Sequence, residues 1–444
     1  MRKVLKNIVL LSLLHLLVDG ICACGVMMVS RQIVSDMEAY GMIVLYDVLA
    51  FGTQPLTGRW VDYHNSGFKL MLAVALLVGG ALVCTLPVSP TVLMAITGAV
   101  LLGMGNSLFH VYGGKYVAVA SNNDIRAMGV FVSTGAVGLA IGLGFSSPML
   151  LAAFLFALLA LSVLHLHDAH RQGLTAQAAP AHTILQTPNP PIPQTPKSLI
   201  LYLSCLMLVV AGRSFIGESV PSLRASLPSV SPPLTMVMVS IVVMVGKAAG
   251  GFLSKWWGVR NVFCVSMLLS AAVFLMYPWH DGFVLLTLFL INLSMPCTLY
   301  WATKALPGRE GWAFGLLAMA LLPGYLFGTL AKGDITCQML LFPLMATFLL
   351  ESFLLLYVLR ERRWLVLAAS VLLNIFTNVP LNAFVITFGV TSPLCLVGLE
   401  CVVVVVESVG YWLVLHDRRK AFKYSFLCNT FSALVGFLCQ FAFM

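Results

Sequence analysis

Long apolar runs alternate with short polar breaks along the whole chain. A membrane-spanning helix needs about 20 mostly apolar residues. The pattern predicts fifteen such helices, near 7–30, 38–57, 69–88, 91–111, 127–145, 147–165, 198–216, 233–253, 261–278, 282–303, 311–330, 337–358, 364–388, 393–415 and 421–443. Only Ser146, Ser147 and Pro148 divide the fifth from the sixth. The predicted class is all-α, a polytopic membrane protein.

Basic residues orient these spans, because cytoplasmic loops carry the excess of Lys and Arg. With Arg2, Lys3 and Lys6 placed inside, most of the 25 Lys and Arg fall at inner ends, from Arg59, Lys69 and Lys115 to Arg360, Arg362, Arg363 and Lys423. Arg31, Arg224 and Lys332 fall outside, and Arg213 and Lys247 lie within spans. The expected topology has a cytoplasmic N-terminus. An odd span count puts the C-terminus outside, in a plasma membrane of the bacterial inner-membrane type.

Composition agrees with this reading. Hydrophobic residues make up 60% of the chain and charged ones 9%, against roughly 25% charge in soluble domains. That excludes a cytosolic enzyme or a nucleic-acid-binding domain. The net charge of +9 follows from the basic inner loops. The 11 cysteines show no metal-ligand spacing and mostly sit in apolar runs as small hydrophobes. No disulfide, metal or cofactor is expected. Ile21-Cys22-Ala23-Cys24 loosely mimics a lipoprotein cleavage site. His15 and Asp19 inside the preceding run argue against a signal core.

Four blocks emerge. Residues 1–164 form a six-helix lobe. Residues 165–197, rich in Pro, Thr, Gln and Ala, read as a flexible cytoplasmic linker. Residues 198–360 form a second six-helix lobe, and 361–444 an accessory three-helix block. Six plus six around a central loop is a pattern of two-lobed secondary transporters.

Related segments close the second span of each lobe. Gly58-Arg59-Trp60-Val61-Asp62 reads as the inner loop after span two. Gly251-Phe252-Leu253-Ser254-Lys255, with Gly258 and Arg260, reads as the inner loop after span eight. Both resemble the loop motif of the major facilitator superfamily. There a Gly permits a tight helix contact, and an acid four residues on can cap a neighbouring helix. Gly58, Asp62, Gly251 and Lys255 are the expected conformational latch, with Lys255 standing where the acid belongs. Gln54-Pro55-Leu56-Thr57-Gly58, Gly103 through His110, and Gly135-Ala136-Val137-Gly138 through Gly142 resemble the fosmidomycin-resistance branch. His15, Asp19 and Arg213 fall where that branch carries polar residues. The resemblance covers residues 1–360. It implies a twelve-helix fold, alternating access and proton-coupled export of small molecules.

Charges within spans carry the rest. One near the bilayer centre costs about 2.5–3.5 kcal/mol on insertion scales, so such groups face the protein interior or a wet cavity. His15 and Asp19 are four apart and share a helix face. A buried carboxyl has its ionisation disfavoured, which suits it to load and release a proton. Asp19 is the expected proton carrier, with His15 as partner and Asp47 second. The alternative is a structural hydrogen bond between helices. Arg213 offers a planar fork for an anionic substrate. Lys247 either joins it or snorkels to the inner interface, and Glu351 is its candidate partner. His110 reads as a capping residue at the inner end of span four. Gly135, Gly138, Gly142 and Gly144 read as helix packing. His165, His167, Asp168 and His170 read as a flexible polar loop rather than a weak metal site. In the last block Asn374, Asn378 and Asn382 share one face, as do Glu400 and Glu407, with Asn429 on the final span. This seam holds the bundle together, forms an accessory proton or cation site, or docks a membrane partner.

The expected function is secondary active transport of a small amphiphilic or anionic molecule by proton-coupled efflux. The alternative is translocation of a lipid or lipid-linked intermediate, with the last block docking a partner enzyme. A membrane-embedded enzyme and a non-transporting sensor are weaker readings, since no extramembrane catalytic loop is visible. Expected partners are the substrate, protons and membrane lipid, with no nucleic acid.

Overall fold

The computed structural model describes residues 2–33, 36–63, 67–85, 92–171, 196–219, 231–274, 282–331 and 393–443, with 366, 369–370, 373 and 377. The described secondary structure is helical. The helices are α1 (Arg2–Ser30), α2 (Asp36–Asp47), α3 (Gln54–Tyr63), α4 (Phe68–Thr85), α5 (Val92–Ala120), α6 (Ile125–Ser133), α7 (Gly135–Gly144) and α8 (Pro148–Arg171). After residues 172–195 come α9 (Pro196–Ser219), α10 (Pro232–Trp257), α11 (Val259–Phe274), α12 (Gly282–Asn292), α13 (Met295–Ala305), α14 (Glu310–Met319), α15 (Leu321–Ala331), α16 (Pro393–Leu415) and α17 (Arg418–Phe443).

Among the described residues, nine helical stretches are long and apolar enough to cross a membrane: Val4–Ser30, Phe68–Thr85, Leu93–Ala120, Ile125–Gly144, Pro148–Arg171, Pro232–Trp257, Gly282–Ala305, Glu310–Thr329 and Val397–Leu415. Each coincides with an expected span. The segments 38–57, 198–216, 261–278 and 421–443 are wholly or largely helical but do not meet that test. The segments 337–358 and 364–388 lie almost wholly outside the described residues.

Local chemistry explains the breaks. Between α2 and α3 the helix widens into a π turn at Val48–Gly52, just ahead of Pro55, which has no N–H to donate. Thr53 Oγ1 bridges this bend to Leu49 O at 2.6 Å and to Ser107 Oγ at 2.8 Å. Such π segments recur at functional sites. Between α5 and α6, Asn122 and Asn123 adopt φ of 53° and 56°. Asn tolerates this left-handed region, and the tight turn starts α6 directly. Thr134 Oγ1, between α6 and α7, donates to Ser12 O of α1 at 2.5 Å.

Several expectations are corrected here. Gly58 and Asp62 lie on α3, and Gly251 and Lys255 on α10, so both motifs are helix ends rather than loops. Span four continues through Ala120, which places His110 inside it. The segment expected as linker from 165 is helical as far as Arg171. His165 there is fully buried, 3.4 Å from the Tyr112 hydroxyl. Asp168 pairs with Lys6 of α1 at 2.5 Å. That stretch is helix, not a flexible loop, because α8 packs against α1 and His165 meets the rings of Tyr112 and Tyr116 on α5.

The lobes meet along two crossed seams. The end of α3 packs on α14, and α10 packs on α6 and α7. Glycines allow both contacts. A side chain at Gly58 would overlap the Gly311 carbonyl, and a Cβ at Gly251 would stand 2.8 Å from Ile125 O. One buried apolar cluster runs through both lobes, from Leu11 and Leu14 on α1 to Phe314 and Leu317 on α14.

Candidate functional site: a buried triad and an end latch

Helices α1 and α5 cross where His15, Asp19, Asn106 and His110 converge. On each helix the two residues are four apart, so each pair shares one face. His15 Nε2 lies 3.3 Å from Asp19 Oδ2, and His110 Nε2 lies 3.4 Å from Asp19 Oδ1. The two Nε2 atoms are 2.9 Å apart. Both imidazoles are held from behind: His15 Nδ1 donates to Phe131 O at 2.7 Å, and His110 Nδ1 to Asn106 O at 2.9 Å. Backbone carbonyls only accept, so both Nδ1 atoms carry the hydrogen and both Nε2 atoms face inward. Asn106 Nδ2 donates to Asp19 Oδ1 and to the Tyr46 hydroxyl, each at 3.2 Å. Asp19 and His15, expected together, are together. His110 and Asn106 were not expected, although their spacing repeats that of His15 and Asp19.

Asp47 is buried at 8% exposure with Oδ2 unpaired, at the end of α2 beside the π turn. It makes no ion pair with the triad. Glu218 of α9 is the charge that acts on it. Arg213 of α9 is buried at 5% exposure. Its guanidinium spans the break between α12 and α13, donating to Ser294 Oγ at 3.4 Å and Met295 Sδ at 2.7 Å. Among the described residues it has no carboxylate partner. Lys247 is half-buried, ten residues before the end of α10. It lies within electrostatic reach of Asp19 and His110, and Arg213 within reach of Lys247. Its charge therefore acts on groups of the other lobe, which favours the inward reading over snorkelling. Glu351 lies outside the described residues.

The expected latch residues stand at the Lys- and Arg-rich ends of the helices. Asp62 on α3 accepts from the backbone N–H of Gly311 at 2.9 Å and of Trp312 at 2.8 Å. These belong to the first turn of α14, so Asp62 caps a helix of the other lobe. Lys115 Nζ sits 3.6 Å from Asp62 and donates to Val61 O at 3.0 Å, while Lys69 Nζ donates to Trp60 O at 2.8 Å. The two buried lysines thus bind the last carbonyls of α3, whose orphan acceptors favour cations. Burial raises the Asp62 carboxyl above its ordinary range, against the pull of these hydrogen bonds and Lys115. A cleft of about 250 Å³ opens beside it, lined by Arg59, Asp62, Tyr63, Gly308, Arg309 and Trp312.

The second seam carries a charge-swapped counterpart. Asp124 caps α6 through Arg126 N at 3.0 Å and pairs with Arg126 Nη2 at 2.6 Å. Lys255 of α10 acts on it from the other lobe. Burial alone would raise the Asp124 carboxyl, but the hydrogen bonds and charge of Arg126, then the charge of Lys255, hold it below its ordinary value.

In the last block, Glu407 is fully buried. It meets Thr377 Oγ1 at 2.7 Å and Asn429 Nδ2 at 2.6 Å. Glu400 is half-buried with Oε2 unpaired. Asn374, Asn378 and Asn382 lie outside the described residues, and Thr377, which was not singled out, supplies the contact from that segment.

No protein-family model matches the chain, and no curated protein matches it. Solved structures do. A major facilitator superfamily transporter, FucP, in the outward conformation aligns with a TM-score of 0.52 at 14% identity, over 79% of this chain and 99% of its own. A single-residue variant of the E. coli fucose:proton symporter FucP aligns at 0.49 and 13% identity, over 78% and 99%. A bacterial homologue of the iron transporter ferroportin, in an outward-facing state, aligns at 0.49 and 14%, over 76% and 96%. At such identities the likeness speaks for the fold alone: the chain is an all-helical, multi-pass membrane protein with the fold of the major facilitator superfamily.

Proposed function

We propose that this protein is a secondary active transporter. It moves a small amphiphilic or anionic molecule by alternating access of its two lobes, with protons as the coupling ion and efflux as the direction. The observation that carries this reading is the His15–Asp19–His110 triad, a charged cluster within predicted spans where such groups are costly. Two inward Nε2 atoms 2.9 Å apart repel as lone pairs but fit one shared proton, with Asp19 as counter-ion. Loading and losing that proton changes the charge at the core of the first lobe. Arg213 and Lys247 supply the cationic side of the cavity, where an anionic group of the substrate neutralises them. Asp62 on the first turn of α14 holds the cytoplasmic ends closed, and its release permits the opposite opening. Asp47 serves a second, outer step.

The test is flux in proteoliposomes. Labelled amphiphilic carboxylates and phosphonates move against their gradient when an inward proton gradient is imposed, and stop when an ionophore collapses it. Flux that ignores the proton gradient refutes the coupling. A labelled lipid that flips while soluble anions do not would favour lipid translocation instead.

A further inference from the structure

We propose that the same triad is a binding site for a divalent first-row transition metal of the Zn²⁺, Co²⁺ or Ni²⁺ class, held by His15 Nε2, His110 Nε2 and the Asp19 carboxylate. The case rests on geometry. The ligand atoms of these three residues all lie within 4.8 Å of one another. The individual separations are 2.9, 3.3 and 3.4 Å. Ligand atoms at 2.0–2.1 Å from a tetrahedral metal stand about 3.3 Å apart, so the imidazole pair must open by a few tenths of an ångström, and the carboxylate, which now turns one oxygen to each ring, must chelate with both or swing one toward the metal.

The second sphere is built in the way metal-binding imidazoles need. A ligating His donates its other ring N–H to a carbonyl or carboxylate, which fixes the tautomer and aims the lone pair. Here the Phe131 and Asn106 carbonyls do this for both rings. Two imidazoles and one carboxylate suit borderline divalent metals rather than Mg²⁺ or Ca²⁺. Asn106 Nδ2 donates to Asp19 Oδ1 at 3.2 Å and orients the carboxylate. Gly135 leaves the room, because a side chain there would overlap Asp19 Oδ2 and His15 Nε2. The charge of Lys247 acts on Asp19 and His110 and opposes a metal there.

The inference shares residues with the proposed proton step but does not require it. A bound metal would occupy the proton's place and hold the transporter in one state. The experiment uses the full chain in detergent, stripped with a chelator and titrated with CoCl₂, followed by the visible absorption of tetrahedral Co²⁺ and by competition with ZnCl₂. One saturable equivalent per chain is expected. His15→Ala and His110→Ala each weaken it about tenfold or more, since even second-sphere losses cost 10–100-fold. Gly135→Ala weakens it with all three ligands kept, and Lys247→Met strengthens it. His165→Ala, a buried histidine packed against Tyr112, leaves it unchanged. No saturable Co²⁺ binding by the unmodified chain overturns the proposal, as does binding that survives both His15→Ala and His110→Ala. Proton-driven flux without metal binding would refute only this proposal, and metal binding without such flux only the coupling.

Discussion

The two lobes treat buried charge differently. In the first, Asp19, His15, His110, Asn106 and Tyr46 form one connected cluster in which every member touches another. In the second, Arg213 and Lys247 act on each other as like charges, and among the described residues Arg213 donates only to a serine hydroxyl and a thioether. Leaving a charge buried without a counter-charge costs several kcal/mol. In the first, the two imidazoles meet that cost with Asp19, while Asp47 stays outside the cluster. Among the described residues the second shows no carboxylate beside Arg213. A self-neutralised cluster suits a small ion that loads and leaves, and an unmatched guanidinium suits a substrate anion.

Breaking the cationic side has the larger expected effect. Arg213→Ala raises KM for the transported anion about 30-fold or more, the equivalent of the roughly 2 kcal/mol lost when one partner of a buried charged contact is truncated. Arg213→Lys recovers only part, since an ammonium lacks the planar fork. Uptake kinetics in proteoliposomes check this, and an unchanged KM in both variants removes Arg213 from the binding site.

A smaller effect falls on the latch. Asp62→Asn keeps a side-chain oxygen for one N–H of α14 but loses the charge. Helix caps are worth about 1 kcal/mol, so the closed-to-open ratio falls about fivefold. Spin-label distances between the ends of α3 and α14 report that shift. Asp124→Asn on the opposite seam moves the same distances less, because its carboxylate is already engaged by its neighbour Arg126. Equal effects at both seams would contradict the asymmetry.

Much of this was legible in the sequence. Apolar run lengths located all nine of the described spans, and the spacing of His15 and Asp19 placed them on one face. Three things were hidden. His110 was hidden because Gly113, Gly114 and Lys115 resemble a loop. In the fold Gly114 packs on Phe314, and Lys115 is buried against the end of α3. Lys69 and Lys115 counted as topology signals, yet both cap carbonyls of α3. The triad itself joins residues 91 positions apart on two helices, a relation that local spacing does not encode. The latch chemistry at Asp62 was legible, but its partner, the first turn of α14, becomes visible only once the lobes are packed.

The central claim is that Asp19 and its two imidazoles couple substrate movement to protons. The most direct measurement compares two modes of flux in Asp19→Asn proteoliposomes. Substrate exchange at equal pH should persist, because Arg213, the proposed anion contact, is intact. Accumulation driven by an imposed proton gradient should disappear. Gradient-driven accumulation that survives Asp19→Asn at the rate of the unmodified protein would contradict the account.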